Sequence, residues 1–191
     1  YVFNKPRLDL NMKNRDVEKI SIHSGSIRVT SEKSKADMPQ KVKDIIAEEK
    51  NTICNIDCLK SFQENVINHI DDFKKEIKKA KDSGLIIAGY GASGRANMFC
   101  NITGLSNDEI EFIVDESPER CGRYIANTDI PIVSLDTLKA SDIDLLIIFA
   151  WNYSKMIVDK TKFKKYNYMT AFPGIKYFNK DDAKKLEFKS I

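Results

Sequence analysis

The chain has 191 residues, enough for one large domain or one domain plus part of a second. Its 31 basic and 28 acidic residues leave a net charge of +3 that is mixed along the chain, which argues against nucleic acid as a partner. Apolar runs are short, the longest covering residues 145–151, against the roughly 18 residues a membrane span needs. No signal peptide is visible, and a cytoplasmic location is expected. The first residue, Tyr1, is not methionine, so the chain reads as a piece of a longer protein.

Residues 1–32 read as a small β region. Strands are expected over residues 17–22 and 26–30, joined by the turn His23-Ser24-Gly25. Such a hairpin cannot bury its own apolar face, so it is expected to belong to a larger sheet. Residues 33–83 read as a linker and helices. A polar linker with Pro39 covers 33–40, and a short helix covers 41–50 with Val42, Ile45 and Ile46 on one face. A longer helix covers 57–82, where Leu59, Phe62, Val66, Ile70, Phe73 and Ile77 recur at the helical period. Lys74, Lys75, Lys78 and Lys79 lie opposite and read as a solvated face. Gly84 ends this helix.

Residues 84–191 alternate strands and helices. Strands are expected over 85–88, 110–114, 130–133, 145–150 and 168–172, with helices over 95–102, 134–139 and 153–161. Single helices between strands imply right-handed crossovers and a parallel sheet. The fold class is therefore α/β: a Rossmann-like parallel sheet with flanking helices, preceded by a helical segment and a short β-hairpin.

Chemistry concentrates at few places. Cys54, Cys58, Cys100 and Cys121 lack a second pair at zinc-finger spacing and read as free thiols, and His23 and His69 are too few for a histidine metal centre. No metal is expected. Gly89, Gly91 and Gly94 form G-x-G-x-x-G between a strand and a helix, the context that the dinucleotide fingerprint requires. Glycines let the backbone turn sharply and approach a ligand, and the helix start offers free N–H groups and partial positive charge. Asp115 ends the next strand about 25 residues on, near where a ribose-binding acid would sit. Three readings stay open on this pattern: NAD-type binding, another anionic ligand, or a structural turn without a ligand.

Further stretches narrow the choice. Gly89-Tyr90-Gly91-Ala92-Ser93-Gly94-Arg95 is followed by Asp115-Glu116-Ser117-Pro118-Glu119-Arg120-Cys121-Gly122-Arg123-Tyr124. Asp129-Ile130-Pro131-Ile132 and Ala150-Trp151-Asn152-Tyr153 come next. In that order the chain resembles the C-terminal domain of S-adenosylmethionine-dependent C-methyltransferases, typified by the deoxysugar C-methyltransferases. Their usual pattern is G-Y-G-A-x-x-K, D-x-x-P-x-K-x-G, I-P-I and a W-N pair. His23-Ser24-Gly25-Ser26-Ile27-Arg28-Val29 is similar to the family's H-G-G-S-L-R-V segment, which closes the sheet of the preceding methyltransferase domain. Arg95 and Arg120 stand where the family often has Lys. Ala126-Asn127 replaces a usual Pro-Gly, so a different loop shape is expected there.

The resemblance implies a parent protein in which an enolate formed beside a keto group of a nucleotide-linked sugar attacks the S-methyl group of S-adenosylmethionine. It places the S-adenosylmethionine pocket in an upstream methyltransferase domain and leaves this chain inactive alone. His23 is a weak candidate contributor to catalysis, and shaping a turn or orienting substrate is the preferred reading of it. The chain's own share would be binding the anionic acceptor. Gly89, Tyr90, Gly91, Ala92, Ser93, Gly94, Arg95, Asp115, Arg120, Trp151 and Asn152 are the candidate residues. Arg120 and Arg123 would add charge or stay solvated. Trp151 and Tyr153 would stack on the ligand or pack against a domain partner. Two other roles stay open: a module binding NAD(P) or a related nucleotide, and a buttress that packs against the catalytic domain or forms a homodimer through the 57–82 helix.

Overall fold

The structure, a computed structural model, describes residues 12–20, 25–53 and 55–179. The chain forms two compact units that divide between Val66 and Ile67, inside its longest helix. The turn at His23-Ser24 lies outside the described residues.

In the first unit, β1 (Met12–Ile20) and β2 (Ser26–Lys33) pair antiparallel, with Val17 opposite Val29 and an irregularity between Asn14 and Asp16. β1 starts five residues earlier than expected because the polar run Met12-Lys13-Asn14-Arg15-Asp16 is held by paired charges rather than by apolar alternation. Arg15 Nε lies 2.9 Å from Glu32 Oε1, and Arg28 pairs with Glu18 across the ladder. Among the described residues this hairpin is a sheet of its own and joins no larger one. Helix α1 (Gln40–Asn51) follows, burying Val42 and tying Lys41 to Asp16 and Glu48 to Lys19.

Helix α2 (Ile56–Asp82) carries the expected stripe, but only its C-terminal half is covered. Phe73, Ile77 and Ala80 are buried, whereas Leu59 and Phe62 are exposed. The lysines opposite are solvated, two of them pairing with Asp72 and Asp82. Gly84, at φ 77°, ends the helix as expected.

The second unit is built on a six-stranded sheet. Its strands are β3 (Ile87–Tyr90), β4 (Ile113–Val114), β5 (Ile132–Val133), β6 (Leu145–Ile148), β7 (Asn167–Thr170) and β8 (Lys176–Phe178), in the order β5-β4-β3-β6-β7-β8. All neighbours run parallel except β8, which is antiparallel to β7 and was not expected. β6 is buried on both faces, as the uninterrupted run Leu145-Leu146-Ile147-Ile148 dictates. Leu145 and Ile147 pack towards α2 and α3 (Gly94–Thr103). Leu146 and Ile148 pack towards α4 (Leu135–Ala140) and α5 (Ser154–Thr161). β3 is displaced two residues C-terminally from its expected span, because its ladder with β6 aligns Ile87 with Leu145 and takes Gly89 and Tyr90 into the sheet.

The loop where Pro-Gly is usual turns on Asn127, at φ 58°. Asparagine tolerates the left-handed region nearly as glycine does, so the chain still reverses there and Ile125 pairs with Ile130. No helix of the described residues is long and apolar enough to cross a membrane. The described cysteines Cys58, Cys100 and Cys121 are free thiols, and burial pushes the Cys100 thiol up to about 12. The described residues hold no cluster of three or more metal-ligating side chains.

Candidate functional site

The chain runs outward from β3 to β4 to β5, then returns to lay β6 on the other side of β3. The carboxyl ends of β3 and β6 therefore diverge into segments that leave in opposite directions, the place where open α/β sheets gather ligands. The segment after β3 is Gly91-Ala92-Ser93 leading into α3. The segment after β6 is Ala150 followed by a 3-10 turn, Trp151–Tyr153.

The two segments touch. Gly91 sits at φ 95°, its amide donating to Val114 O at 2.7 Å. A Cβ there would lie 2.8 Å from Ala150 Cβ. A Cβ on Gly89 would lie 2.8 Å from both Ile113 Cγ1 and Phe149 Cε2. Intrachain packing alone therefore requires the first two glycines of the fingerprint. Gly94 differs: it is exposed and a Cβ there meets nothing within 4 Å.

Ser93 is the N-cap of α3, extended at φ −84° and ψ 172°, yet its hydroxyl caps nothing. Its Oγ is buried and has no hydrogen-bond partner among the described residues. Such a group costs roughly 1–3 kcal/mol until something pairs with it. The first-turn amides of residues 94–96 also lack intrahelical acceptors. Beside them, the Arg95 guanidinium lies 4.4 Å from the centroid of the Trp151 ring, a cation–π contact. No carboxylate pairs with Arg95 among the described residues. The structure thus brings together Gly91, Ser93, Gly94, Arg95 and Trp151, which are 60 positions apart at their extremes.

The other candidates face elsewhere. Ala92 is buried in the core beside Ala96 and Phe99. Tyr90 points to the opposite sheet face, where its hydroxyl donates to Glu116 Oε1 at 2.8 Å. Burial first, and then Glu116, raises its pKa far above the usual phenol value. Asp115, nearly buried, accepts from the Ser117 amide through Oδ1 and from Arg120 Nη1 through Oδ2, at 2.9 and 3.1 Å. Both oxygens of the expected ribose acceptor are thus engaged inside the loop, together with Arg120. Arg123 and Tyr153 are exposed, Asn152 is partly buried in the 3-10 turn, and His23 lies outside the described residues.

Three features escaped sequence reasoning. Lys160 on α5 reaches both oxygens of Glu116, at 2.8 and 2.7 Å, and binds the Asp115 loop to that helix. Phe172 packs on Trp151 with centroids 5.3 Å apart. His69 bonds the carbonyl of Ala171. Phe172 falls inside the strand expected over 168–172, whereas that strand ends at Thr170, and nothing local marks the other two.

The Lys160 bond, then the Tyr90 bond, holds the Glu116 carboxyl below its ordinary value of 4.5. A depressed carboxylate stabilises the fold above the ordinary carboxyl range and loses that contribution as pH falls through the folded value. Lys160→Met should therefore lower the melting temperature at pH 7, and the difference should shrink as pH falls through the lowered Glu116 value. The pair is about half exposed, so the difference should stay below about 1 kcal/mol. A constant offset down to pH 3, measured by calorimetry, would show that lost packing rather than the ion pair is responsible.

Residues 21–172 match the family model described as the C-methyltransferase C-terminal domain. The chain is 27% identical over 150 residues to the C-methyltransferase NovU of Streptomyces niveus. That alignment covers 77% of this chain and 36% of NovU, so the chain spans about a third of its relative.

Proposed function

The chain belongs to the family of C-methyltransferase C-terminal domains, and from that premise we propose that it is the acceptor-binding portion of an S-adenosylmethionine-dependent C-methyltransferase. The larger unit is read as a Rossmann-like domain, on the strength of its strand order and the reversal between β3 and β6. The acceptor is a nucleotide-linked sugar. Its phosphates would rest at the first turn of α3, against the amides of residues 94–96, Ser93 Oγ and the Arg95 guanidinium. Trp151 would offer a stacking face.

The observation that carries this reading is the pair Ser93 and Arg95. Among the described residues, a buried hydroxyl with nothing to bond and a cation with no carboxylate converge on a helix start, where an anion satisfies both. S-Adenosylmethionine fits these residues poorly. Its ribose needs an exposed acceptor at the end of β4, and Asp115 is buried, with its oxygens turned to Ser117 and Arg120. The same point disfavours NAD. We therefore assign the methyl donor to a preceding methyltransferase domain, and no step of methyl transfer to residues of this chain.

A thermal-shift panel on the 191-residue chain tests the assignment. Nucleoside diphosphate hexoses at ten times their Kd should stabilise it by about 1.4 kcal/mol, roughly 3–6 °C for a chain of this size. Pyrophosphate should act more weakly, and S-adenosylmethionine and NAD not at all. Stabilisation by NAD without any response to nucleotide-sugars would reverse the assignment.

A further inference from the structure

A line of ring contacts runs from α2 to the guanidinium of Arg95, entirely within the unit formed by residues 67–188. It starts at His69, whose Nε2 lies 2.7 Å from the carbonyl oxygen of Ala171, a contact spanning 102 positions. A carbonyl only accepts, so Nε2 carries the proton. The same imidazole meets Phe172 edge-on, with centroids 5.2 Å apart at 78°. It also faces Phe99 at 6.1 Å. Phe172 lies 5.3 Å from Trp151 at 37°, and Arg95 lies 4.4 Å over the Trp151 ring.

We propose that His69 is a positioning residue for the acceptor site. Its N–H fixes the backbone immediately before Phe172 while its ring fixes the Phe172 side chain. Phe172 then sets the orientation of Trp151, and Trp151 the resting place of Arg95. Histidine suits the position because it supplies both halves: phenylalanine would keep the ring and lose the donor, whereas glutamine would keep a donor at the Nε2 position and lose the ring. A histidine present only for packing would make phenylalanine an innocuous replacement. The ring geometry stands whatever the ligand; its consequence for binding rests on the nucleotide-sugar reading above.

Trp151 is the sole tryptophan of the chain, so its fluorescence reports this site alone. Emission and acrylamide quenching should be recorded for the 191-residue chain and for His69→Phe and His69→Gln, first without ligand and then with a nucleoside diphosphate hexose. In His69→Phe the ligand-free emission should move to the red, quenching should increase, and binding should weaken by roughly tenfold, the loss of about one well-placed contact. His69→Gln keeps the donor without the ring and should restore the part of each that the N–H contributes. If His69→Phe fails to fold, Phe172→Leu interrupts the same line one step later and should give the same red shift. Unchanged emission and quenching in His69→Phe, or in Phe172→Leu where that variant stands in, would overturn the proposal, as would His69→Gln matching His69→Phe. A parent chain that binds no nucleotide-sugar would overturn the functional reading instead, while the ligand-free emission still decides the role of His69.

Discussion

Replacing Arg95 by alanine is expected to weaken binding of a nucleoside diphosphate hexose by roughly 10- to 100-fold, while the melting temperature of the chain moves by only about 2 °C. The asymmetry follows from what Arg95 touches. In the folded chain its guanidinium contacts the Trp151 ring, a cation–π interaction of roughly 0.5–1 kcal/mol at a partly exposed position. It has no carboxylate partner among the described residues, so its removal leaves no buried charge unpaired. To a phosphate it would offer a charge-assisted hydrogen bond from a forked donor, worth roughly 1.5–3 kcal/mol. The larger number belongs to the complex. Arg95→Lys keeps the charge as a point donor, so it should recover part of the affinity and none of the fork geometry. Titration followed by Trp151 fluorescence or calorimetry reads all three chains. An Arg95→Ala variant with unchanged affinity would remove the cation from the acceptor site.

The parts of the fold legible in the sequence are those where one local pattern dominates. Leu145 to Ile148 is apolar without interruption and lies where a central parallel strand was expected. The stripe ending in Phe73 and Ile77 announced α2 to within a residue at its start. Expectation failed where pairing partners outweighed local pattern. Ile110 and Ile130 are fully buried, yet the strands expected over 110–114 and 130–133 form ladders of only two residues each. The rest of each run bonds outside these ladders: the Glu111 amide donates to Ile87 O, and Ile130 O accepts from the Ile125 amide. β3 moved because a glycine reads locally as punctuation, whereas Gly89 is a strand residue squeezed between Ile113 and Phe149.

The candidate site divides the same way. The turn and its helix were visible because their residues are consecutive. The contact between Arg95 and Trp151 was not, since only the strand order β4-β3-β6 brings the two carboxyl ends side by side. Asp115 shows the opposite failure. Its place at a strand end suggests a ribose acceptor, whereas the side chain is buried and turned inward to Ser117 and Arg120.

Gly91→Ala and Gly94→Ala are expected to act in opposite directions on stability, and the pair separates what the fold needs from what a ligand needs. At Gly91 the backbone sits at φ 95°, where an L-residue is strained, and the new Cβ would lie 2.8 Å from Ala150 Cβ and 3.3 Å from Ala150 N. Strain and overpacking together should cost roughly 2–4 kcal/mol, or about 5–15 °C in melting temperature. The combination with Ala150→Gly removes the closest clash and leaves the φ strain, so it should recover about half of the loss, and a double-mutant cycle reads that share directly. At Gly94 the backbone is unstrained and no atom lies within 4 Å of a built Cβ. Alanine there should leave the chain as stable or raise it by roughly 0.4–1 kcal/mol, since it restricts the unfolded chain more than it disturbs the helix start. If the phosphates of the acceptor approach the first-turn amides, the same methyl group intrudes between ligand and backbone, and affinity should fall about tenfold while stability rises. Equal affinity in Gly94→Ala and the parent chain would mean that no ligand comes close to that amide, and the third glycine of the turn would then have neither a packing nor a binding reason to be glycine.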